Sequence, residues 1–228
     1  MVYITGDKHG DFKSLKSFCR NFDIKESDKI ILLGDVGLNY FLDSSDFKRK
    51  KSLNSLGCQF LCVHGNHEIR CENISSYLTI QNDMGEFYQE KLFPNLLFMK
   101  DGEIYDIEGK SYLCLGGAYS VDKWYRLQSG GKWFEDEQMK ESVKEYLRKY
   151  WFGDEFDYII SHTCPYKYIP REWFLSGLDQ STVDNSMEIF LDEVEENIGY
   201  DKWYCGHYHG NKTIDKIRFL YNDIIMVD

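Results

Sequence analysis

No apolar run in this chain approaches the ~20 residues needed to cross a bilayer, so a membrane-spanning role is not expected. No Cys-x-x-Cys pair occurs among the seven cysteines, at 19, 58, 62, 71, 114, 164 and 205. Their odd number and spacing indicate neither a disulfide framework nor a zinc knuckle, and reduced thiols are the expectation. Basic charge is in deficit: 27 Lys and Arg face 38 Asp and Glu, a formal net charge of −11. That balance argues against a dedicated binder of nucleic acid or anionic membranes, whose non-specific affinity comes from Lys and Arg neutralising phosphates. It leaves room for a small anionic substrate, because bound cations can invert the local field. No internal repeat or low-complexity tract is present. The opening Met1-Val2-Tyr3-Ile4-Thr5 runs straight into a motif, with no basic segment, apolar stretch and cleavage site, so a cytoplasmic protein is expected, in a bacterial cell or one infected by a virus.

What is present suits one folded domain spanning 1–228, long enough to carry an elaborated loop. Short apolar runs recur, each followed by a glycine-containing polar tip: Val2 to Ile4, Ile30 to Leu33, Phe60 to Val63, Tyr112 to Leu115 and Tyr158 to Ile160. Runs of this length between turn signals predict buried strands. Phe12, Leu15, Phe18 and Cys19 have helical spacing between the first two, so the first half reads as an α/β layered core. From Leu96 to Leu115 three short runs separated by Asp101-Gly102 and Glu108-Gly109-Lys110 predict an antiparallel meander, in a second sheet or at the edge of the first. Residues 119–135, with Tyr119, Trp124, Tyr125, Trp133 and Phe134 around Ser129-Gly130-Gly131, are too aromatic for a linker and too glycine-rich for a regular element; they read as a loop or cap. Helices are predicted over 135–150, with Met139, Val143, Tyr146 and Leu147 facing the core, and over 186–197, with Met187, Phe190, Leu191 and Val194 doing the same. The acidic residues Asp192, Glu193, Glu195 and Glu196 read as a solvated helix face.

The six histidines, at 9, 64, 67, 162, 207 and 209, collect at the tips that follow these strands, which packing alone does not explain. Gly6-Asp7-Lys8-His9-Gly10 offers a carboxylate and an imidazole two residues apart, and Gly34-Asp35 another carboxylate. Gly65-Asn66-His67-Glu68 adds a carboxamide and an imidazole, and Ser161-His162 a lone imidazole. Gly206-His207-Tyr208-His209-Gly210 adds two imidazoles at the spacing that an extended strand points to one side. Taken singly these tips are weak signals, of which Gly206 to Gly210 is the strongest.

In this order the five motifs resemble the calcineurin-like metallophosphoesterase superfamily, over residues 6–210. The resemblance implies a four-layer α-β-β-α sandwich of two mixed sheets flanked by helices, with the catalytic groups on loops at one end of the sheets. It implies that Asp7, His9 and His209 hold one metal ion, that Asn66, His162 and His207 hold a second, and that Asp35 bridges the two. Mixed N and O donors suit divalent manganese, foremost, and also iron, zinc or nickel. A metal-bridging hydroxide would attack phosphorus, while His67, which binds no metal in the family, would stabilise the transition state and protonate the leaving oxygen.

Two departures matter. Leu38 stands where the protein Ser/Thr phosphatase branch has the aspartate that orients His67, and the arginine after it is missing. His64 stands where that branch grips phosphate with arginine, so His64, Asn39 and Arg70 are candidate substrate contacts. The stretch from Leu97 through Gly116-Gly117-Ala118-Tyr119-Ser120-Val121-Asp122-Lys123 to Trp133-Phe134 resembles a bacterial and phage group within the superfamily. Its aromatic residues either stack on a flat group such as a nucleobase or form a small core under a long loop. The expected activity is hydrolysis of a small phosphomonoester or phosphodiester, nucleotides among them. A phosphoprotein phosphatase, a nuclease and a non-catalytic metal-binding scaffold for a protein partner are the alternatives.

Overall fold

The computed structural model describes residues 1–174 and 181–227. Two mixed sheets lie face to face between helices, in agreement with the expected sandwich. In the first sheet β1 (Val2–Thr5), β2 (Lys29–Leu32), β3 (Gln59–Cys62) and β6 (Leu96–Met99) run parallel. Antiparallel strands close its edges: β13 (Ile224–Met226) beside β1, and β5 (Glu86–Glu90) followed by β4 (Tyr77–Gln81) beyond β6. The second sheet centres on parallel β8 (Lys110–Leu115), β9 (Glu155–Ser161), β10 (Gly199–Cys205) and β12 (Ile217–Phe219), with antiparallel β7 (Ile104–Ile107) and β11 (Lys212–Ile214) at its edges.

The alternation of side chains along each strand produces the layers. Ile4, Ile31, Leu61, Val63, Tyr112, Cys114, Tyr158 and Ile160 point between the sheets and form the central core. Their neighbours Tyr3, Ile30, Leu32, Phe60 and Cys62 turn outward onto α1 (Lys13–Asn21) and α2 (Ser44–Asn54), which contribute Leu15 and Leu53. Leu113, Leu115, Ile159 and Trp203 turn the other way onto α4 (Glu141–Tyr150) and α5 (Ser186–Asn197), meeting Leu147, Phe190, Leu191 and Val194. All seven cysteines are buried free thiols. Among the described residues no helix is long and apolar enough to cross a membrane.

The structure departs from the sequence reading in four places. The segment Leu96–Leu115 is not one meander: β6 joins the first sheet beside β3, and only β7 and β8 form a hairpin, in the second. Asp101-Gly102, with Gly102 at φ +80°, carries the chain between sheets, and Glu108-Gly109, both at positive φ, makes the tight hairpin turn. The helix expected from 135 begins at Glu141, because Glu137 is turned inward to accept hydrogen bonds from the Ser120 amide and hydroxyl. On that helix Tyr146 is exposed rather than in the core. Residues 119–135 contain a regular element, α3 (Lys123–Gln128), closed by Ser129-Gly130-Gly131, where the Gly131 amide donates to the Arg126 carbonyl. The acidic face of α5 is partly paired, Glu193 with Arg148 and Glu195 with Lys167.

Candidate metal centre

The polar tips of β1, β2, β3, β9 and β10 all leave the carboxyl ends of parallel strands, so the topology brings them to one end of the sandwich. Backbone bonds fasten the tips together. The Asp35 carbonyl accepts from the Lys8 and His9 amides, and Gly10 donates to Val36. Glycine is required where these turns nearly touch: a Cβ on Gly34 would sit 2.2 Å from His162 Nδ1, and one on Gly206 would sit 2.4 Å from Asp7 Oδ1.

His9, Asp35, His207 and His209 all have left-handed backbone, with φ of 47°, 46°, 65° and 51°. Such conformations cost side-chain-bearing residues about 1 kcal/mol or more each and persist where the surroundings impose them. His207 and His209 therefore do not share an aim through extended-strand spacing. Each is turned by its own strained residue, His207 toward His162, with ring centroids 5.0 Å apart, and His209 toward His9.

Asp7, His9 and His209 offer ligand atoms within 4.8 Å of one another, as do Asp7, Asp35 and His162. His9 Nε2 and His209 Nε2 face each other at 3.0 Å, and Asp7 Oδ2 lies 3.2 Å from His209 Nε2 and 3.9 Å from His9 Nε2. On the other side His162 Nε2 is 2.8 Å from Asn66 Oδ1. The Asp35 carboxylate stands between, Oδ2 3.9 Å from His9 Nε2 and Oδ1 3.7 Å from His162 Nε2. His67 also belongs to this neighbourhood; its amide donates to Asp35 Oδ1 at 2.7 Å, and its ring meets that of His9 edge-on.

The donor chemistry fits cations. His162 Nδ1 must donate to the Leu33 carbonyl, 2.7 Å away, which leaves Nε2 of a neutral ring as a lone pair facing Asn66. The Asn66 amide nitrogen donates to Ser120 Oγ at 2.8 Å, and the Ser120 hydroxyl proton goes to Glu137, so Asn66 presents its oxygen to that lone pair. Two acceptors 2.8 Å apart repel unless a cation or proton lies at them. Buried Asp7 Oδ2 likewise has no well-directed donor. Burial, reinforced by His162, pushes His207 well below the usual imidazole range and keeps it a neutral donor of electrons. Burial raises the Asp7 carboxyl, but hydrogen bonding from His209 and the neighbouring His162 and His209 rings outweigh it and hold Asp7 below the ordinary range. The hydrogen bond to Asp7 raises His209 in turn.

The model of the family described as calcineurin-like phosphoesterase matches residues 1–211. The chain belongs to that family. Its calcineurin-like fold is shared with a solved structure of the protein TT1561 from Thermus thermophilus, at 14% identity and a TM-score of 0.50, over 96% of this chain and 87% of that one. It is also similar to phosphopantetheinyl hydrolase (PptH) from Mycobacterium tuberculosis, at 10% identity and a TM-score of 0.44, over the same shares of the two chains. No curated protein matches the chain. Calcineurin-like phosphoesterases typically carry a dinuclear metal site, and the His and Asp clusters around Asp7 and Asp35 include candidate donors for one.

The structure brings Asp7, His9, Asp35, Asn66, His67, His162, His207 and His209 together, and it puts His64, Asn39 and Arg70 elsewhere. Those three line a separate 180 Å³ cavity with Glu68. Asn39 is held by Tyr77 and Cys71, and Arg70 by Asp101 and the carbonyls of Asp136 and Gln138. His64 is buried with Nε2 unpartnered among the described residues, and burial keeps it neutral. Leu38 is fully buried in the outer core of the first sheet, yet His67 is not without an aspartate: Asp122 Oδ1 lies 3.8 Å from its Nε2. Asp122, Ser120, Arg126 and Glu137 are the neighbours the sequence reading assigned no role, although Ser120 and Asp122 stand within the quoted Gly116-to-Lys123 motif.

Proposed function

We propose that this protein is a metal-dependent phosphoric ester hydrolase acting on a small phosphate ester, with the Asp7, His9, Asp35, Asn66, His162, His207 and His209 cluster as its metal site. The observation that carries the reading is the Asp35 carboxylate set between two groups of facing ligand atoms, within 3.9 Å of His9 on one side and 3.7 Å of His162 on the other. A divalent pair bound there supplies Lewis-acid charge for phosphoryl oxygens and lowers the pKa of water.

The chain's own residues do the rest. Asp7 and Asp35 bring negative charge to the ends of two neighbouring strands, and the imidazoles would complete the donor set through nitrogen. The Leu33 carbonyl, Ser120 and Glu137 hold His162 and Asn66 in the orientation that aims Nε2 and Oδ1 at one point. His67 is held by its amide on Asp35, with its ring beside His9 and its Nε2 facing Asp122 and Arg126. From there its ring would exchange a proton with the departing oxygen of an ester bound at the cluster.

The test is hydrolysis of an aryl phosphomonoester and its diester counterpart by the purified protein, with chelator and with added manganese, nickel or zinc. Metal-dependent turnover that Asp35→Asn and His67→Ala both abolish is the expected result. Full activity in both variants, or no turnover by metal-loaded protein on a broad panel of phosphate esters, would overturn the reading in favour of a binding role.

A further inference from the structure

The helix after β8 carries an arginine that the metal-centred reading does not use. Arg126 is buried, only 6% exposed, in the wall of a 290 Å³ cavity that it shares with His9, His67, Tyr40, Arg49 and Asp122. All its polar partners converge on one nitrogen: Nη1 lies 3.0 Å from Ser120 Oγ, 3.5 Å from Asp122 Oδ1 and 3.5 Å from His67 Nε2. Nε and Nη2 have no hydrogen-bond partner among the described residues. A guanidinium carries five donors and cannot shed its charge, and buried charge is costly unless it is paired. The nearest carboxylate, Asp122, is half-exposed and too long a contact to chelate it. The guanidinium is therefore held in the fold with most of its donor capacity unspent, in a cavity that opens onto two imidazoles of the metal cluster.

The fastening around it shows that this placement is built. Ser120 takes the Arg126 proton and the Asn66 amide proton on one oxygen, and gives its own proton to Glu137. One hydroxyl thus fixes a metal-ligand candidate and the arginine in the same frame. The α3 turn closes on the Arg126 carbonyl through Gly131, and the Tyr40 ring lies 5.8 Å from the guanidinium carbon. Arg49, packed on Phe41 on the same cavity's wall, adds a second positive charge with no carboxylate closer than the 3.4 Å contact to Asp46.

Resting on the hydrolase reading above, we propose that Arg126 binds a terminal phosphoryl oxygen of the substrate beside His67, and that the substrate is a phosphomonoester. The link between the two halves is oxygen count. A monoester has three terminal oxygens and a diester two; if bound cations took two of them, a monoester would keep a third for the guanidinium, whereas a diester would have to share one. A charge-assisted bond from a desolvated arginine to that oxygen is among the stronger polar contacts available.

The test is calorimetric binding of inorganic phosphate to the manganese-loaded protein, comparing wild type with Arg126→Gln and Arg126→Lys, with metal content measured for each. Arg126→Gln keeps a donor for Ser120 but loses the charge and the fork. The expected result is unchanged manganese content with phosphate bound about 10- to 100-fold more weakly in Arg126→Gln, and an intermediate loss in Arg126→Lys. Phosphate affinity within about twofold of wild type in both variants would overturn the proposal. If Arg126→Gln fails to fold, Arg126→Lys decides by the same measure. In turnover, kcat/KM for the aryl monoester should fall by the same factor while that for the diester changes little. Equal losses on both esters would mean that Arg126 only shapes the fold. Because phosphate binding is read without turnover, this test can fail while the hydrolase reading stands, and the reverse.

Discussion

Metal loading should raise the unfolding temperature of this protein by a large and divisible amount. Without cations the centre presses His9 Nε2 against His209 Nε2 at 3.0 Å and His162 Nε2 against Asn66 Oδ1 at 2.8 Å, and Asp7 Oδ2 is buried without a well-directed donor among the described residues. Four of its residues also sit in left-handed backbone. The folded state holds all these donors in place and the unfolded chain does not, so binding energy appears as folding energy. With free metal at 100 times the dissociation constant, each site adds about 2.7 kcal/mol, and two sites about 5 kcal/mol. At about 2–4 °C per kcal/mol for a chain of this length, the full shift is about 10–20 °C. Differential scanning calorimetry in chelator and in excess manganese, zinc or nickel measures it. Asp35→Asn, which weakens the carboxylate shared by both halves, should remove at least half of the increment. A shift below about 2 °C with every metal, or an undiminished shift in Asp35→Asn, would refute the reasoning that this cluster is a joint cation site.

Two further outcomes follow from individual side chains. Ser120→Ala leaves the Asn66 amide without the acceptor that fixes its orientation, so metal affinity should fall about 10-fold or more by titration calorimetry, with the fold retained by circular dichroism; an unchanged affinity would detach Ser120 from the centre. Glu188 is buried with Oε1 accepting from Thr163 and Oε2 unpartnered among the described residues, and burial raises its carboxyl above the ordinary range. A raised carboxyl contributes stability that is complete below the unfolded glutamate pKa of about 4.3 and is lost as pH rises through the folded value. Glu188→Gln should therefore gain on wild type as pH rises, by about 1–3 kcal/mol in urea titrations near neutrality, the cost of an unpaired buried oxygen; a gain independent of pH would contradict this.

Much of the site could be read from the sequence because its residues follow strands, and the strands announce themselves. Ile30 to Leu33 or Phe60 to Val63 cannot be exposed without large cost, and in a parallel layer their polar sequels must emerge at the same end. The fold's misread parts are those where short-range signals point one way and distant contacts another. Leu96–Leu115 has the turns of a meander, but β6 finds its partner in β3, more than thirty residues back, and no local pattern encodes that pairing. The strands β4 and β5 escaped notice because Leu78 and Thr79 are exposed and Glu86 to Glu90 alternates weakly. His64 looked like a site residue by position, yet one residue of strand pleat separates it from the tip that turns inward, and its ring faces the other cavity.

The neighbours of His67 went unread for a different reason. Asp122, which approaches its Nε2, lies 55 residues away on a segment whose glycines and aromatics give no period. What places Asp122 and Arg126 is tertiary: Arg70 grips the carbonyls of Asp136 and Gln138, Glu137 between them is thereby turned inward, and Glu137 in turn anchors Ser120. Arg70 is thus coupled to the centre without touching it, through a chain of hydrogen bonds that ends on Asn66. The same linkage explains why the helix predicted from 135 starts only at Glu141. Residues 136–138 give up helical hydrogen bonding to clamp the loop, and a conflict between local helix preference and an observed turn and bend marks where the fold is fastened to its chemistry.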